Sequence, residues 1–202
     1  MSISAMSIRN MSIRNMSARN ATARNVLLAA ALCGSAMAVH AEPVVNNNIT
    51  EAEVRQAQQA WGDALVQISQ DHAEHGVEKA TETARAVLDA AYGYNMGPVL
   101  FKPTLASGET TFRTTYEGAL SYFVAGNPQF DDGGFALKGW ESYDFENAAV
   151  YINGDLALTM GHVMVTDGAG DVTTVDKTWG FKKDESGAVR IVLHHSSLPY
   201  SD

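Results

Sequence analysis

The sequence has 202 residues, a formal net charge of −9 and a single cysteine. An acidic chain repels nucleic acid and anionic lipid, and one cysteine provides neither an intramolecular disulfide nor a cysteine-ligated zinc site. The length is sufficient for one ordinary domain with a hydrophobic core after an N-terminal targeting segment has been set aside.

Residues 1–41 have the features of a secretory signal peptide. A basic five-residue unit repeats through residues 1–25, and the 13 mostly apolar residues 26–38 follow it. This stretch is too short to span a bilayer, which takes about 20 residues, and small residues end it. A disordered basic arm that binds nucleic acid is the alternative interpretation. We expect cleavage after Ala41 in preference to Ala38.

The expected mature protein is periplasmic or secreted and keeps no membrane segment. Removal of the leader takes away four arginines and the only cysteine, and it leaves a formal net charge of −13. Such a protein is predicted to have no nucleic-acid partner. Residues 42–48 read as a short polar linker, and 49–202 as a single domain.

Three helices are predicted from the apolar spacing. Thr50 and Glu53 form a capping box, and a stripe of apolar residues at helical spacing follows it. The stripe consists of Val54, Ala57, Trp61, Leu65 and Ile68. A second helix is predicted over about 76–92 and a third over 114–126, where Gly126 and Pro128 end it.

The remaining elements are predicted to be strands. A short strand at 99–104 precedes the third helix, with a turn or hairpin between them. After the third helix the apolar period changes from 3.6 to 2. This change predicts strands at 135–147, 149–153, 155–166, 172–183 and 188–197. The fold class is therefore α+β, with three helices packed on a curved, mostly antiparallel sheet that leaves a cavity at one end.

The last strand ends in IVLHHSSLP, residues 191–199. Because alternate side chains on a strand point to opposite faces, Ile191, Leu193, His195 and Ser197 are expected to share one face. That face is apolar until its last two members, which is typical of a core strand that ends at a pocket. His195 and Ser197 are therefore predicted to line a pocket, while His194 and Ser196 are predicted to point away.

A metal site is not favoured by the histidine spacing. Adjacent histidines on a strand cannot both reach one ion on one face, and the chain has neither H-E-x-x-H nor C-x-x-C. His72 and His75 share a helix face but lie at a predicted helix end beside acidic residues. His162 lies within a strand and is interpreted as a structural histidine.

The ending HHSSLP, the first-helix tryptophan, the FKPT strand end and the LSYF helix together resemble one known family. They are similar to the calcium/calmodulin-dependent kinase II association domains, which belong to the nuclear-transport-factor-2-like superfamily of cone-shaped α+β folds. Among them, a secreted bacterial chain ending in HHSSLP most resembles the iota-class carbonic anhydrases. The resemblance covers nearly all of 50–200.

The resemblance implies reversible hydration of CO2 to bicarbonate and an expected homodimer that forms through the open sheet face. It also implies a catalytic site without a metal, formed at the matching positions by Thr104, Tyr122, His195 and Ser197. In this interpretation Tyr122 and Thr104 donate hydrogen bonds to the bicarbonate oxygens, and His195 orients the hydroxyls or relays the proton. No cofactor is favoured, although other members of the class are described as using zinc or manganese, which stay as alternatives.

Two other function classes remain open from the residues alone. The first is a secreted module of the same fold that only binds a small ligand or dimerises, because fold does not determine function. The second is an isomerase of the ketosteroid-isomerase kind, which needs a buried carboxyl group as its base. Asp144 and Glu146 are the candidates for that base.

Overall fold

The structure is a computed structural model that describes residues 46–201. The predicted signal peptide, residues 1–41, lies outside the described residues. Among the helices that the structure describes, none is both long enough and apolar enough to cross a membrane.

Three helices precede most of the sheet. They are α1 (Glu51–His75), α2 (Val77–Ala91) and α3 (Tyr116–Val124). The predicted capping box begins α1, because the Glu53 amide donates to the Thr50 hydroxyl and the Thr50 amide donates to the Glu53 carboxylate at 2.8 Å. The Thr115 side chain accepts from the Gly118 amide and so begins α3.

Five strands form one open sheet. They are β1 (Leu100–Lys102), β2 (Trp140–Asn153), β3 (Leu156–Asp167), β4 (Val172–Lys183) and β5 (Val189–Ser197). Their spatial order is β1-β5-β4-β3-β2, with β1 parallel to β5 and every other neighbouring pair antiparallel. The sheet is therefore mostly antiparallel, and the predicted α+β class with three helices is confirmed.

Two strand predictions differ from the structure. The two strands expected at 135–147 and 149–153 are one strand, β2, whose register shifts between Asn147 and Ala149. A β-bulge there bends the strand without ending it, so the sequence pattern was interrupted but the strand was not. Residues Phe135–Leu137 form a short 3-10 helix, as do Gly108–Thr110 in the predicted turn.

A second bulge decides which residues of β5 face the core. Phe181 pairs with Ile191 while Gly180 pairs with Leu193, so β5 has one extra residue, Val192, at this point. The extra residue shifts the alternation by one position. Ile191, His194 and Ser196 are consequently buried.

The helices cover one face of the sheet, and the core between them is rich in aromatic residues. Trp61 of α1, Phe123 of α3 and Trp179 of β4 belong to this core. The core gathers around the middle of β4 and β5, because the inward-facing side chains of both strands meet the helices there. This is the part of the molecule in which polar groups are also buried.

Candidate active site

A small cavity opens between the helices and the middle of the sheet. Its polar lining residues are Thr104, Tyr122, Lys177, His194 and Ser196. Its apolar lining residues are Trp61, Phe123, Phe135, Val163, Val165 and Val175. About 290 Å³ at this place is not filled by atoms, part of it open to solvent, and the freely accessible part has room for about one water-sized molecule. We call this space the hydroxyl cavity.

Three hydroxyl groups from different elements line the hydroxyl cavity. Thr104 lies just after β1, Tyr122 on α3 and Ser196 near the end of β5. The Thr104 and Ser196 side-chain oxygens are 2.7 Å apart and share one hydrogen bond. One of these two hydroxyls donates to the other, so the second keeps its own hydrogen available to a bound molecule.

The Tyr122 hydroxyl is buried and has no hydrogen-bond partner within the described residues. Thr104 and Leu105 lie near it without ordinary hydrogen-bond geometry. Burial raises the pKa of Tyr122 to about 12. The phenol therefore stays protonated at neutral pH. Because this buried donor is unpaired, it is available to donate a hydrogen bond to the oxygen of a bound ligand.

His194 lies at the centre of a buried hydrogen-bonded chain. The Trp61 Nε1–H donates to the Tyr92 hydroxyl at 3.0 Å, and that hydroxyl is 2.8 Å from Nδ1 of His194. Nε2 of His194 is hydrogen-bonded to Nζ of Lys177. Burial, together with Lys177 and His195, holds the pKa of His194 well below its ordinary value, so the ring is neutral.

Lys177 points into the cavity from β4. Its Nζ lies 4.4 Å from the ring centroid of Trp61 and 4.9 Å from that of Trp179. Burial lowers the pKa of Lys177 well below its ordinary value, because an ammonium ion loses its hydration there. No carboxylate of residues 46–201 forms an ion pair with it.

An outer pocket adjoins the hydroxyl cavity. Tyr122 and Phe135 line both spaces, and their rings stack at 5.5 Å between centroids. Asp131 and Asp132 line the outer pocket, and Asp132 is held in a buried ion pair with Arg113 at 2.8 Å. The stacked Tyr122 and Phe135 rings therefore separate the inner space from a wider, polar opening.

The structure brings together two of the four predicted site residues. Thr104 and Tyr122 both line the hydroxyl cavity. His195 and Ser197 do not, and their predicted inward orientation is wrong. The extra residue Val192 reverses the faces of the strand end, so His195 is exposed and its predicted contact with the cavity is absent.

The inward positions belong to His194 and Ser196 instead, and sequence reasoning missed Lys177 entirely. The sequence does contain a signal for Lys177. On β4 the inward positions Val175, Lys177, Trp179 and Phe181 bring the lysine into a run of apolar and aromatic residues. A lysine at a core position of a strand is unusual enough to indicate a special role.

The alternative chemistries have little support in this part of the molecule. Asp144 and Glu146, the candidate bases of an isomerase, are both exposed on β2. Among residues 46–201, no three histidine, cysteine, aspartate or glutamate side chains come together as a metal site requires. His162 lies on the outer face of the sheet, 3.4 Å from Asp176.

The hydroxyl cavity combines hydrogen-bond donors with a buried amine and a neutral imidazole. Hydroxyl donors in a space from which water is largely excluded stabilise an oxygen anion more than they do in water. A nitrogen base beside them can take a proton. The arrangement is thus able to turn a small neutral molecule and water into an oxyanion.

Comparisons with known proteins give the family. The family model for metal-independent carbonic anhydrase matches residues 52–198. The chain is 55% identical over 159 residues to the metal-independent carbonic anhydrase of Nostoc sp. strain PCC 7120, covering 78% of each chain.

One solved structure gives the same result, and a second is more distantly similar. The iota-carbonic anhydrase of a cyanobacterium, crystallised with bicarbonate, is 54% identical with a TM-score of 0.79, over 80% of this chain and 99% of that one. A Xanthomonas campestris protein solved as a calcium/calmodulin-dependent protein kinase II association domain is 18% identical with a TM-score of 0.47, over 80% of this chain and 100% of that one. The chain belongs to the metal-independent carbonic anhydrase family.

Proposed function

We propose that this chain hydrates CO2 reversibly to bicarbonate at the hydroxyl cavity, without a metal ion. The cavity has room for about one water-sized molecule, so its lining side chains separate when CO2 and water enter. The observation that carries the proposal is the unpaired Tyr122 hydroxyl, which faces the same small space as the Thr104–Ser196 pair. Family membership supports the reaction, and the cyanobacterial relative was crystallised with bicarbonate, the product of that reaction.

The energetics limit how such a site can work. Zinc enzymes lower the pKa of bound water from about 15.7 to about 7, which amounts to about 12 kcal/mol at 1.36 kcal/mol per unit. One oxyanion-hole donor contributes about 3–4 kcal/mol. Hydroxyl groups therefore do not replace zinc by generating free hydroxide, and water must lose its proton as it attacks the carbon.

The hydroxyl groups act on the charge that develops on the CO2 oxygens. Tyr122 donates its free O–H to one oxygen, and whichever of Thr104 and Ser196 keeps a free hydrogen donates to the attacking water or to the second oxygen. Both contacts are stronger to bicarbonate than to neutral CO2, so they lower the barrier as well as bind the product. His195 has no place in this step because it lies on the other side of β5.

Stopped-flow CO2 hydration with a pH indicator tests the proposal on protein treated exhaustively with a chelator. We expect full activity after chelation and no further increase on adding zinc or manganese. Tyr122→Phe should lower kcat/KM about 100-fold, the effect of removing one oxyanion donor. Tyr200→Phe, a change at a phenol that is 90% exposed, is the matched control. Activity that returns only with metal contradicts the metal-free site.

We propose further that residues 1–41 direct the protein to the periplasm or the cell exterior. The basic repeat, the short apolar stretch and the small residues before Glu42 support this. CO2 crosses membranes freely and bicarbonate does not, so an exported enzyme interconverts them outside the inner membrane. Mass spectrometry of the exported protein should find Glu42 at its N-terminus, whereas an intact leader on cytoplasmic protein would contradict export.

A homodimer through the outer face of the sheet is the third part of the proposal. Tyr151 pairs with Leu158 across β2 and β3, and Met160 lies two residues beyond Leu158 on the same face of the sheet. Tyr151 and Met160 are 60% and 62% exposed, which is typical of an apolar surface that a partner covers. Light scattering after size exclusion should give twice the monomer mass, and Met160→Glu should halve it. A monomeric wild-type protein contradicts the dimer.

A further inference from the structure

Lys177 is a buried amine that has no role in the mechanism proposed above, which uses only hydroxyl groups. Only 4% of its surface is exposed, and within residues 46–201 no carboxylate pairs with it. An isolated ammonium ion is strongly disfavoured in such surroundings. Trp61 and Trp179 offer ring faces to Nζ at 4.4 and 4.9 Å, which stabilise a cation in part but do not neutralise it.

The hydrogen-bonded chain that ends on Lys177 has a preferred direction. The Trp61 indole N–H can only donate, and it donates to the Tyr92 oxygen. The hydrogen of the Tyr92 hydroxyl then has one acceptor among the described residues, Nδ1 of His194. Nδ1 is therefore unprotonated, and Nε2 carries the ring hydrogen of the neutral imidazole.

This direction determines the ionisation state of Lys177. An Nε2–H group needs an acceptor, and Nζ of Lys177 is the atom bonded to it. An ammonium nitrogen has no lone pair and cannot accept, whereas a neutral amine can. The hydrogen-bond direction thus requires a neutral amine in the resting site, in agreement with the absence of a nearby carboxylate.

The other titratable groups that face Lys177 are two phenols, which stay protonated, and a histidine whose Nδ1 lone pair already accepts from Tyr92. Tyr92 follows α2, Tyr122 lies on α3 and His194 on β5; burial raises the pKa of both phenols and lowers that of His194. The exposed His195 is cationic when ionised, and its repulsion with Lys177 also disfavours an ammonium ion at Lys177. Helix α1 contributes Trp61, and β3 contributes Val163 and Val165, to this space.

We propose that Nζ of Lys177 is the proton acceptor when water attacks CO2 in the hydroxyl cavity, an assignment that rests on the proposed function. The water oxygen forms a bond to carbon, one C=O electron pair moves onto oxygen, and one water proton moves to the amine lone pair. The products are bicarbonate and a lysine ammonium, and the ammonium later releases its proton to solvent. The His194–Lys177 hydrogen bond opens during this step, which frees the lone pair.

The surroundings of Lys177 suit both states of such a base. In the resting state His194 satisfies the lone pair, and in the protonated state two indole faces and the new bicarbonate anion surround the ammonium. Lysines that act as bases near neutral pH are tuned by burial in this way. The same lone pair is held by His194 at rest, which hinders direct attack of the amine on CO2.

The test compares Lys177→Met with Lys182→Met, a control on the same strand whose side chain is 42% exposed and paired with Asp155. Lys177→Met should lower kcat/KM at least 100-fold, within the range of a lost general base. Lys182→Met should leave activity unchanged. Ethylamine added to Lys177→Ala should restore part of the rate, which a purely structural role would not allow.

A measurement on the wild-type enzyme keeps the proposal testable even if the variants fold poorly. The 13Cε shift of labelled Lys177 should report a neutral amine at pH 7, and the rising limb of the kcat/KM–pH profile should follow the same titration.

A charged Lys177 at pH 7, or more than a tenth of wild-type activity in Lys177→Met, overturns the assignment. So does a carbamate carbon signal with 13C-bicarbonate, which would make the amine a nucleophile. An inactive wild type instead overturns the proposed function.

Discussion

The two sides of β5 near its end carry the same pair of residue types in opposite surroundings. His194 and Ser196 are 2% exposed and line the hydroxyl cavity, whereas His195 is exposed and Ser197 lies outside that lining. The one extra residue at Val192 decides which pair is inside. A backbone irregularity thus determines which histidine and which serine line the cavity, since the residue types alone do not distinguish the two pairs.

The largest expected difference between the two sides is in stability. His194→Ala removes a ring that packs 4.3 Å from Phe101 and leaves Tyr92 and Lys177 without their shared partner. We expect a loss of about 3–5 kcal/mol in the free energy of unfolding, as for other large buried rings. His195→Ala should change it by less than about 0.5 kcal/mol. Urea denaturation of both variants measures this; equal losses would mean that both rings are buried.

The next difference is in activity, at the two serines. Ser196→Ala removes the hydroxyl that is hydrogen-bonded to Thr104 in the cavity, and it should lower kcat/KM for CO2 hydration about 100-fold. Ser197→Ala changes a residue of the same type one position away and should leave the rate within twofold of wild type. If Ser197→Ala were the damaging change, the strand would have the alternation expected without the bulge.

Much of the fold could be predicted because its determinants are local. The capping box at Thr50 and Glu53, the apolar stripe of α1 and the change of period after α3 are all carried by neighbouring residues. Thr104 and Tyr122 were predicted from the family resemblance rather than from local pattern, and the structure places both at the lining of the hydroxyl cavity. One ends a strand beside β5, and the other lies on a helix whose residues are buried over most of its length.

The orientation of β5 could not be predicted because a bulge is a property of two paired strands. Val192 has no feature of its own that marks it as an extra residue, and the register of Gly180 and Phe181 on β4 is what reveals it. The direction of the Tyr92–His194–Lys177 chain depends in the same way on contacts between residues far apart in sequence. Lys177, although missed, could have been recognised from the sequence, because the residues two positions away on either side of it, Val175 and Trp179, are apolar.

The pH dependence of stability gives a third and smaller difference. In the folded state the pKa of His194 lies well below its ordinary value of about 6.5, so the unfolded chain binds a proton near pH 6 and the folded protein does not. Stability from this group is therefore complete above about pH 6.5 and falls as the pH decreases. Between pH 7 and 5 we expect a loss of about 2 kcal/mol, at about 1.4 kcal/mol per pH unit.

Urea denaturation across this pH range measures the effect in matched variants. His194→Gln should remove about 2 kcal/mol of the wild-type decline, and the part that remains comes from other buried groups that stay neutral in the folded protein, Lys177 above all. His195→Gln should remove less than His194→Gln, because burial and Lys102 lower the pKa of His195 to a smaller degree. If His195→Gln removed more of the pH dependence than His194→Gln, the neutral buried ring would be the one at position 195.

The smallest expected effect concerns the bulge itself. Gly180 lies opposite the extra residue, and a Cβ added there would be 3.0 Å from Cβ of Leu193 and 3.2 Å from Cδ2 of Leu158. Gly180→Ala should destabilise the protein by about 1 kcal/mol, the low end for overpacking, because the Leu158 side chain can turn away and β5 at Leu193 has to move by only about a few tenths of an ångström. Gly133→Ala, where an added Cβ meets nothing within 4 Å, should have almost no effect. Thermal unfolding measures both, and because the added methyl group lies on the outer side of the sheet, CO2 hydration should be retained in Gly180→Ala. A loss of activity out of proportion to the loss of stability would show that the bulge positions His194 and Ser196 within narrow limits.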